Sequence, residues 1–250
     1  MVNYPKIAQV LKEAIKLVKP DKEEERTIRK KTLEFVEKLK KACRSMNAKI
    51  VVGGSFAKGT YLKGTRDIDV YVCFDYKSFK DKSNQLSDFL ERSMKKAFRK
   101  YIRMHGSRDY FRVKIDNLTF EVIPILSIKK PEQALNITDV SLFHVKWVRS
   151  KIKKNKPLAD QVRLFKAFCK ANNIYGAESY IRGFSGYACE VLTIHFKGFL
   201  GLLKNATKWV KKEKVIIDPE KYYKSNSEVL KNLNVAKLQS KLILIDPVQK

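Results

Sequence analysis

The sequence predicts an α+β chain, with a mixed sheet and its helices in residues 1–138 and a mainly helical part with a few strands in residues 139–250. Three observations carry this reading. Strand-like apolar runs at 49–52, 68–74, 101–105, 110–115 and 118–126 alternate with helical patterns in the first part. Beyond Asn136-Ile137-Thr138-Asp139, which reads as a linker, the apolar spacing turns helical. Two short apolar runs, 215–218 and 242–245, return to strand character near the end, joined by a polar, Lys/Asn-rich connection.

In order along the chain, residues 4–18 repeat apolar side chains at helical spacing (Ile7, Val10, Leu11, Ile15, Leu17, Val18) until Pro20 breaks the run. Asp21 is placed to cap a second helix over 22–46, with Ile28, Leu33, Val36, Leu39 and Cys43 on one stripe. Glu23, Glu24 and Glu25 sit at its positive end, as the helix dipole favours. A strand over 49–52 then feeds a Gly53-Gly54-Ser55 turn and a short helical pattern, and the strand over 68–74 opens with Asp67 and Asp69. A helix over 83–100 turns Leu86, Phe89, Leu90, Met94 and Phe98 inward, and Asp116-Asn117 marks a hairpin turn between later strands. In the second part, helices are expected over 141–153, from Pro157 to about 172 with Val162, Phe165 and Phe168 inward, over 186–196 capped by Ser185, and over 198–210.

Composition narrows the function. Lys and Arg number 53 against 26 Asp and Glu, a net charge of +27, which points to a polyanionic partner such as nucleic acid. With 44% hydrophobic and 32% charged residues the chain is globular rather than disordered. Cys43, Cys73, Cys169 and Cys189 form no Cys-x-x-Cys pair and read as buried thiols in a reducing compartment. His105, His144 and His195 have no zinc-ligand spacing. No apolar run is long enough for a membrane span and no signal core opens the chain, so a soluble, cytoplasmic protein without membrane partners is expected.

The chemistry gathers between Gly53 and Asp69. Residues two apart on a strand share a face about 7 Å apart, so Asp67 and Asp69 repel each other unless a cation sits between them, and hard oxygen ligands suit Mg²⁺. The Gly-Gly-Ser turn offers backbone N–H groups and a hydroxyl to phosphate. Glu121 is the odd charge in an apolar strand. It completes a three-carboxylate site if that strand neighbours the Asp67 strand; otherwise it is an edge-strand residue facing solvent.

Gly-Ser followed by Asp-x-Asp on the next strand resembles the DNA polymerase β-type nucleotidyltransferase superfamily. The second part narrows the resemblance. His144-x-x-Trp147, Val162-Arg-Leu-Phe-Lys166, Ile174-Tyr-Gly-Ala-Glu178, Arg182-Gly-Phe-Ser-Gly-Tyr-x-Cys-Glu190 and Ile245-Asp-Pro-Val248 are similar, in collinear order, to archaeal (class I) CCA-adding enzymes. The resemblance implies a polymerase β-like nucleotidyltransferase head over 1–138 and a central domain over 139–250 that helps bind nucleotide and tRNA. It implies Asp67, Asp69 and Glu121 as catalytic metal ligands, and Gly54, Ser55, Lys58, His144, Lys166 and Tyr175 as nucleotide contacts. The spacing alone leaves His144 and Tyr175 open between ligand contact and packing. Arg182, and more weakly Arg163, are RNA-contact candidates, although Arg182 equally suits bracing its Gly-Phe-Ser-Gly turn. Two departures stand out: Glu121 where the family usually has Asp, and Lys58 where it often has Arg.

The implied activity is addition of C, C and A to the 3′ end of tRNA from CTP and ATP, assisted by two Mg²⁺ ions. The family continues past the Asp-Pro-Val run into an Arg-Asn-Val-Ala segment and two tRNA-gripping domains. The resemblance therefore implies a second polypeptide supplying them in a split enzyme, with a fragment of a longer chain as the alternative. The rival functions are another template-independent nucleotidyltransferase, poly(A)-polymerase-like or oligoadenylate-synthase-like, and a non-catalytic RNA-binding assembly protein.

Overall fold

The computed structural model describes residues 4–178 and 180–249. The chain forms two compact units, one of Lys16–Lys146 and one joining Met1–Ile15 to Trp147–Lys250. The first helix, α1 (Tyr4–Val18), spans the first unit boundary.

The Lys16–Lys146 unit is a five-stranded sheet backed by helices α2 (Lys22–Ala42) and α5 (Leu86–Ala97), with short helices α3 (Gly54–Lys58) and α4 (Tyr76–Phe79) flanking the second strand. Its strands are β1 (Ala48–Val52), β2 (Asp67–Asp75), β3 (Ile102–Met104), β4 (Tyr110–Ile115) and β5 (Leu118–Ser127), in the order β1-β2-β5-β4-β3. Every pairing is antiparallel except β2 with β5, which is parallel. Side chains alternate across a strand, so Ile68, Val70, Val72 and Phe74 of β2 and Phe120 and Val122 of β5 share one face. They pack there with Phe35 and Leu39 of α2 and Leu90 and Met94 of α5. The Phe35 ring stacks on Phe120 at 4.0 Å between centroids. The same alternation puts Asp67, Asp69 and Tyr71 on the opposite face, away from that core.

Several expectations are refined. The second helix ends at Ala42, and a 3₁₀ turn, Arg44–Met46, precedes Asn47 in the left-handed region at φ 46°. Asp21 caps α2 as expected, accepting from the Glu24 N–H at 2.8 Å. Leu33, placed on the buried stripe by its spacing, is 60% exposed, off the stripe formed by Ile28, Thr32, Phe35, Val36 and Leu39. Asn136–Asp139 is not a loose linker. It leads into a 3₁₀ turn, Ile137–Val140, whose Asp139 carboxylate is buried. That carboxylate pairs with Arg108 and accepts from the backbone N–H groups of Leu126, Leu135 and Asn136. A buried charge is tolerable only with such partners, so this turn is fastened to β5.

Helix α6 (Ser141–Lys154) spans the second boundary. In the other unit α7 (Leu158–Ala171), α8 (Gly186–His195) and α9 (Phe199–Ala206) enclose Leu164, Phe165, Cys169, Leu192, Phe199 and Leu202. Leu11 and Ile15 of α1 pack against this cluster, which is why the first residues join this unit. Phe168, expected inward, is 38% exposed. Ser185 caps α8 by accepting from the Ala188 N–H at 3.0 Å. Strands β6 (Val215–Ile217) and β7 (Leu242–Leu244) pair in parallel. Their connection holds two short helices, α10 (Asn226–Lys231) and α11 (Val235–Leu238). Val229 of α10 is buried with Ile243 and Ile245, which gives that polar stretch its anchor. All four cysteines are free and buried, with Cys169 and Cys189 Sγ atoms 4.0 Å apart. No helix of the described residues is long and apolar enough to cross a membrane.

Candidate active site

The carboxylate end of β2 is fixed by the turn before it. The Gly53 N–H donates to the Asp69 carbonyl at 2.9 Å, which folds the turn back onto β2. Gly54 has φ +57°, and a Cβ there would lie 1.6 Å from Asp69 Oδ2; a Cβ on Gly53 would lie 1.9 Å from Tyr71 Cε2. The two glycines are thus what lets the Asp69 carboxylate and the Tyr71 ring close against backbone. Ser55 and Lys58 follow on α3, which ends at Gly59 in the left-handed region.

Glu121 is where the sheet hypothesis required it. The parallel register sets Asp69 opposite Glu121 and Asp67 opposite Thr119. The β4–β5 hairpin sets Arg112 opposite Glu121 from the other side. Arg112 Nε donates to Glu121 Oε1 at 2.7 Å. Burial, then the Glu121 charge, push the Asp69 carboxyl up to about 6, with Asp67 adding to the rise and Lys58 opposing it. The donor set is hard and anionic, which fits a divalent cation of the Mg²⁺ class. Among the described residues, no three His, Cys, Asp or Glu side chains form a ready-made metal cluster, and Glu121 leans toward Arg112.

On the same face, Tyr71 packs with Cys73, Ile125 and Leu142, and Ser141 is its hydrogen-bond partner. This anchors the first turn of α6, which carries His144, to β2. A groove of about 690 Å³ starts at Asp67 and is lined by Lys100, Tyr101, Ile102, Arg112, Lys114 and Thr119.

The other unit gathers a second set. Lys166 Nζ donates to Glu190 Oε1 at 2.8 Å, and both side chains are almost fully buried. A Cβ on Gly186 would lie 2.8 Å from the Tyr175 hydroxyl and 3.8 Å from Lys166 Nζ. Lys166 and Tyr175, both expected as nucleotide contacts, therefore converge beside Gly186, and Lys170 Nζ lies 5.1 Å from the Tyr175 ring centre. Arg163 is buried and paired with Asp160, so it is not part of an exposed basic surface. Arg182 has φ +52° in the turn ahead of Phe184, whose N–H donates to Ile174.

Sequence reasoning missed Arg112, Tyr71, Gly186 and the pairing role of Glu190. Arg112 was within reach, because a two-residue turn at Asp116-Asn117 fixes the hairpin register and so sets residue 112 against residue 121. Glu190 had no such signal, since its partner comes from a different helix.

Two family models match in sequence. A nucleotidyltransferase domain covers residues 29–144, and the second domain of tRNA nucleotidyltransferases covers residues 160–250. The CCA-adding enzyme of Nanoarchaeum equitans is 48% identical over 80% of this chain and 49% of its own length. That of Archaeoglobus fulgidus is 34% identical over 86% of this chain and 47% of its own length. In sequence the chain is similar to archaeal CCA-adding enzymes over most of its own length. It spans about half the length of the curated CCA-adding enzymes it matches. Solved structures extend the fold more widely. E. coli MS115-1 CdnC, in its complex with HORMA-deltaN, matches 99% of this chain at TM-score 0.63 and 16% identity, covering 82% of CdnC. Cid1, described for RNA terminal uridylyl transferase activity, matches 77% of this chain at TM-score 0.60 and 15% identity, covering 53% of Cid1. At these identities the matches show a shared α+β fold.

Proposed function

We propose that this chain carries the nucleotidyl-transfer site of a CCA-adding enzyme, joining C, C and A from CTP and ATP to the 3′ end of tRNA and releasing pyrophosphate. The observation that carries it is the register of Asp69 with Glu121, beside a glycine turn that admits the Asp69 carboxylate.

Asp67, Asp69 and Glu121 are the residues that would hold Mg²⁺, proposed as two ions, which when bound acidifies the attacking hydroxyl and neutralises charge on the triphosphate. The chain's own part is alignment. Ser55, Lys58 and the Gly54 backbone are assigned to the triphosphate, with His144, Lys166 and Tyr175 as further nucleotide contacts. Lys58 serves as a point charge where an Arg would offer a bidentate fork. The groove beside Asp67, with Lys100, Lys114 and Arg112, is assigned to the acceptor end of the RNA. Arg182 is retained as an RNA-contact candidate. A cytoplasmic location, with tRNA, goes with this reading.

The matches to the curated CCA-adding enzymes take in about half of those enzymes' length.

The function is tested by incorporation of labelled CTP and ATP into tRNA lacking its CCA end, with Mg²⁺, using this chain alone and then with extract of its source. Incorporation by either, abolished in Asp67→Ala/Asp69→Ala with tRNA binding retained, supports the reading. No incorporation in either case, with tRNA still bound, would replace it with a non-catalytic RNA-binding role.

A further inference from the structure

Glu121 stands in the middle of a row of three charges. Its register partner on β2 is Asp69 and its register partner on β4 is Arg112. The three side chains therefore share one face of three adjacent strands, about 5 Å from strand to strand. The like charge pushes Glu121 away from β2, and the opposite charge draws it toward β4. The second direction is the one observed, with Arg112 Nε at 2.7 Å and the guanidinium 5.7 Å from the Tyr110 ring centre. A cation shared with Asp69 needs Glu121 to lean the other way. The extra methylene of Glu gives it the reach for either position. The Arg112 side chain is 42% exposed and that of Glu121 20% exposed, so water and competing ions reach the pair, and pairs of this kind are readily exchanged.

We propose that Arg112 is a positioning residue, which holds the Glu121 carboxylate against β4 and withholds it from a divalent cation at Asp69 until another anion takes the guanidinium. This rests on the metal reading above. Arg112 also lines the groove with Lys100 and Lys114, so a phosphate of the RNA 3′ end entering there competes with Glu121 for the same donors. RNA and cation then favour each other's binding, by the reciprocity of linkage.

The test is calorimetric titration of Mn²⁺ into the full chain, free of nucleotide and RNA. Arg112→Gln should bind Mn²⁺ about three- to tenfold more tightly than wild type. Lys114→Gln, which removes the same charge from the same face opposite Thr119, should change affinity less than twofold. Adding Glu121→Gln to Arg112→Gln should cancel the gain. In a second measurement, a fluorescent RNA oligomer should bind wild type more tightly with Mn²⁺ present, and the enhancement should shrink in Arg112→Gln. Equal Mn²⁺ affinity in wild type and Arg112→Gln, lost in Asp69→Asn, would remove the role of Arg112 and leave the metal reading standing. The same gain in Lys114→Gln would reduce the effect to bulk charge and overturn the proposal. No Mn²⁺ binding by wild type or Arg112→Gln would overturn the metal reading and the proposal together.

Discussion

Burial and the neighbouring carboxylates push Asp69 up to about 6 from the ordinary carboxyl value, and the direction of this change has a measurable effect on stability. A raised carboxyl favours the protonated form in the folded state. The stability it contributes is complete below the unfolded value near 4 and is lost as pH rises through about 6. In metal-free buffer at pH 7.5, Asp69→Asn should therefore be more stable than wild type, by up to about 3 kcal/mol, since each pH unit separating the folded from the unfolded value is worth ~1.4 kcal/mol. At pH 4 the two should melt together, and Mg²⁺ should raise the melting temperature of wild type alone. Thermal melts across that range check it. A variant that is less stable than wild type at pH 7.5 would mean the carboxylate is not under repulsion. Lys166 and Glu190 show the opposite solution to the same difficulty: two buried charges made tolerable by direct pairing at 2.8 Å.

At the scale of elements, the turn between β1 and β2 does more than reverse the chain. Gly54 and Gly59 both have positive φ, but a Cβ on Gly54 meets Asp69 Oδ2 at 1.6 Å whereas one on Gly59 meets nothing within 4 Å. Gly59→Ala should then cost only the backbone strain, about 1 kcal/mol. Gly54→Ala adds displacement of Asp69 and should lose nucleotidyl transfer as well as stability. Melting temperature and activity measured side by side separate the two, and equal losses in both variants would refute the steric argument. This element was legible in sequence as Gly-Gly-Ser before Asp-x-Asp, whereas Glu121 stayed open between a strand beside Asp67 and an edge strand facing solvent, because a lone charge in an apolar strand asks for a partner without naming it, and that partner is Arg112. What was not legible depends on side chains meeting across elements. Nothing near Asp139 in sequence announces Arg108 or the Leu126 N–H, so a buried, fully bonded turn read as a linker. Phe168 read as inward because spacing marks the apolar stripe but not where the covering neighbour stops.

For the whole molecule, the net charge of +27 makes affinity for RNA strongly dependent on salt. If binding neutralises about three phosphates, tRNA affinity should fall roughly fortyfold between about 50 and 200 mM salt, with a log–log slope of about −2.7. Anisotropy titrations at several salt concentrations measure this, and a flat dependence would take the basic surface out of recognition. The compact units divide at 15/16 and 146/147, and the joining of Met1–Ile15 to the later residues had no signal in the composition. Amphipathic spacing shows that α1 must bury a face, without saying against which partner. The parallel pairing of β2 with β5 also sets a timetable. β4 and β5 close through a local hairpin and β2 finds β1 nearby in the chain, whereas Asp69 meets Glu121 only after the whole intervening stretch has been threaded. Long-range parallel pairing is slow because loop closure is spent before any contact returns it. On a ribosome, Glu121 cannot come into register with Asp69 until β5 has left the exit tunnel. A nascent chain stalled earlier would thus have both aspartates synthesised and β1 within reach of β2, yet no Glu121 beside Asp69.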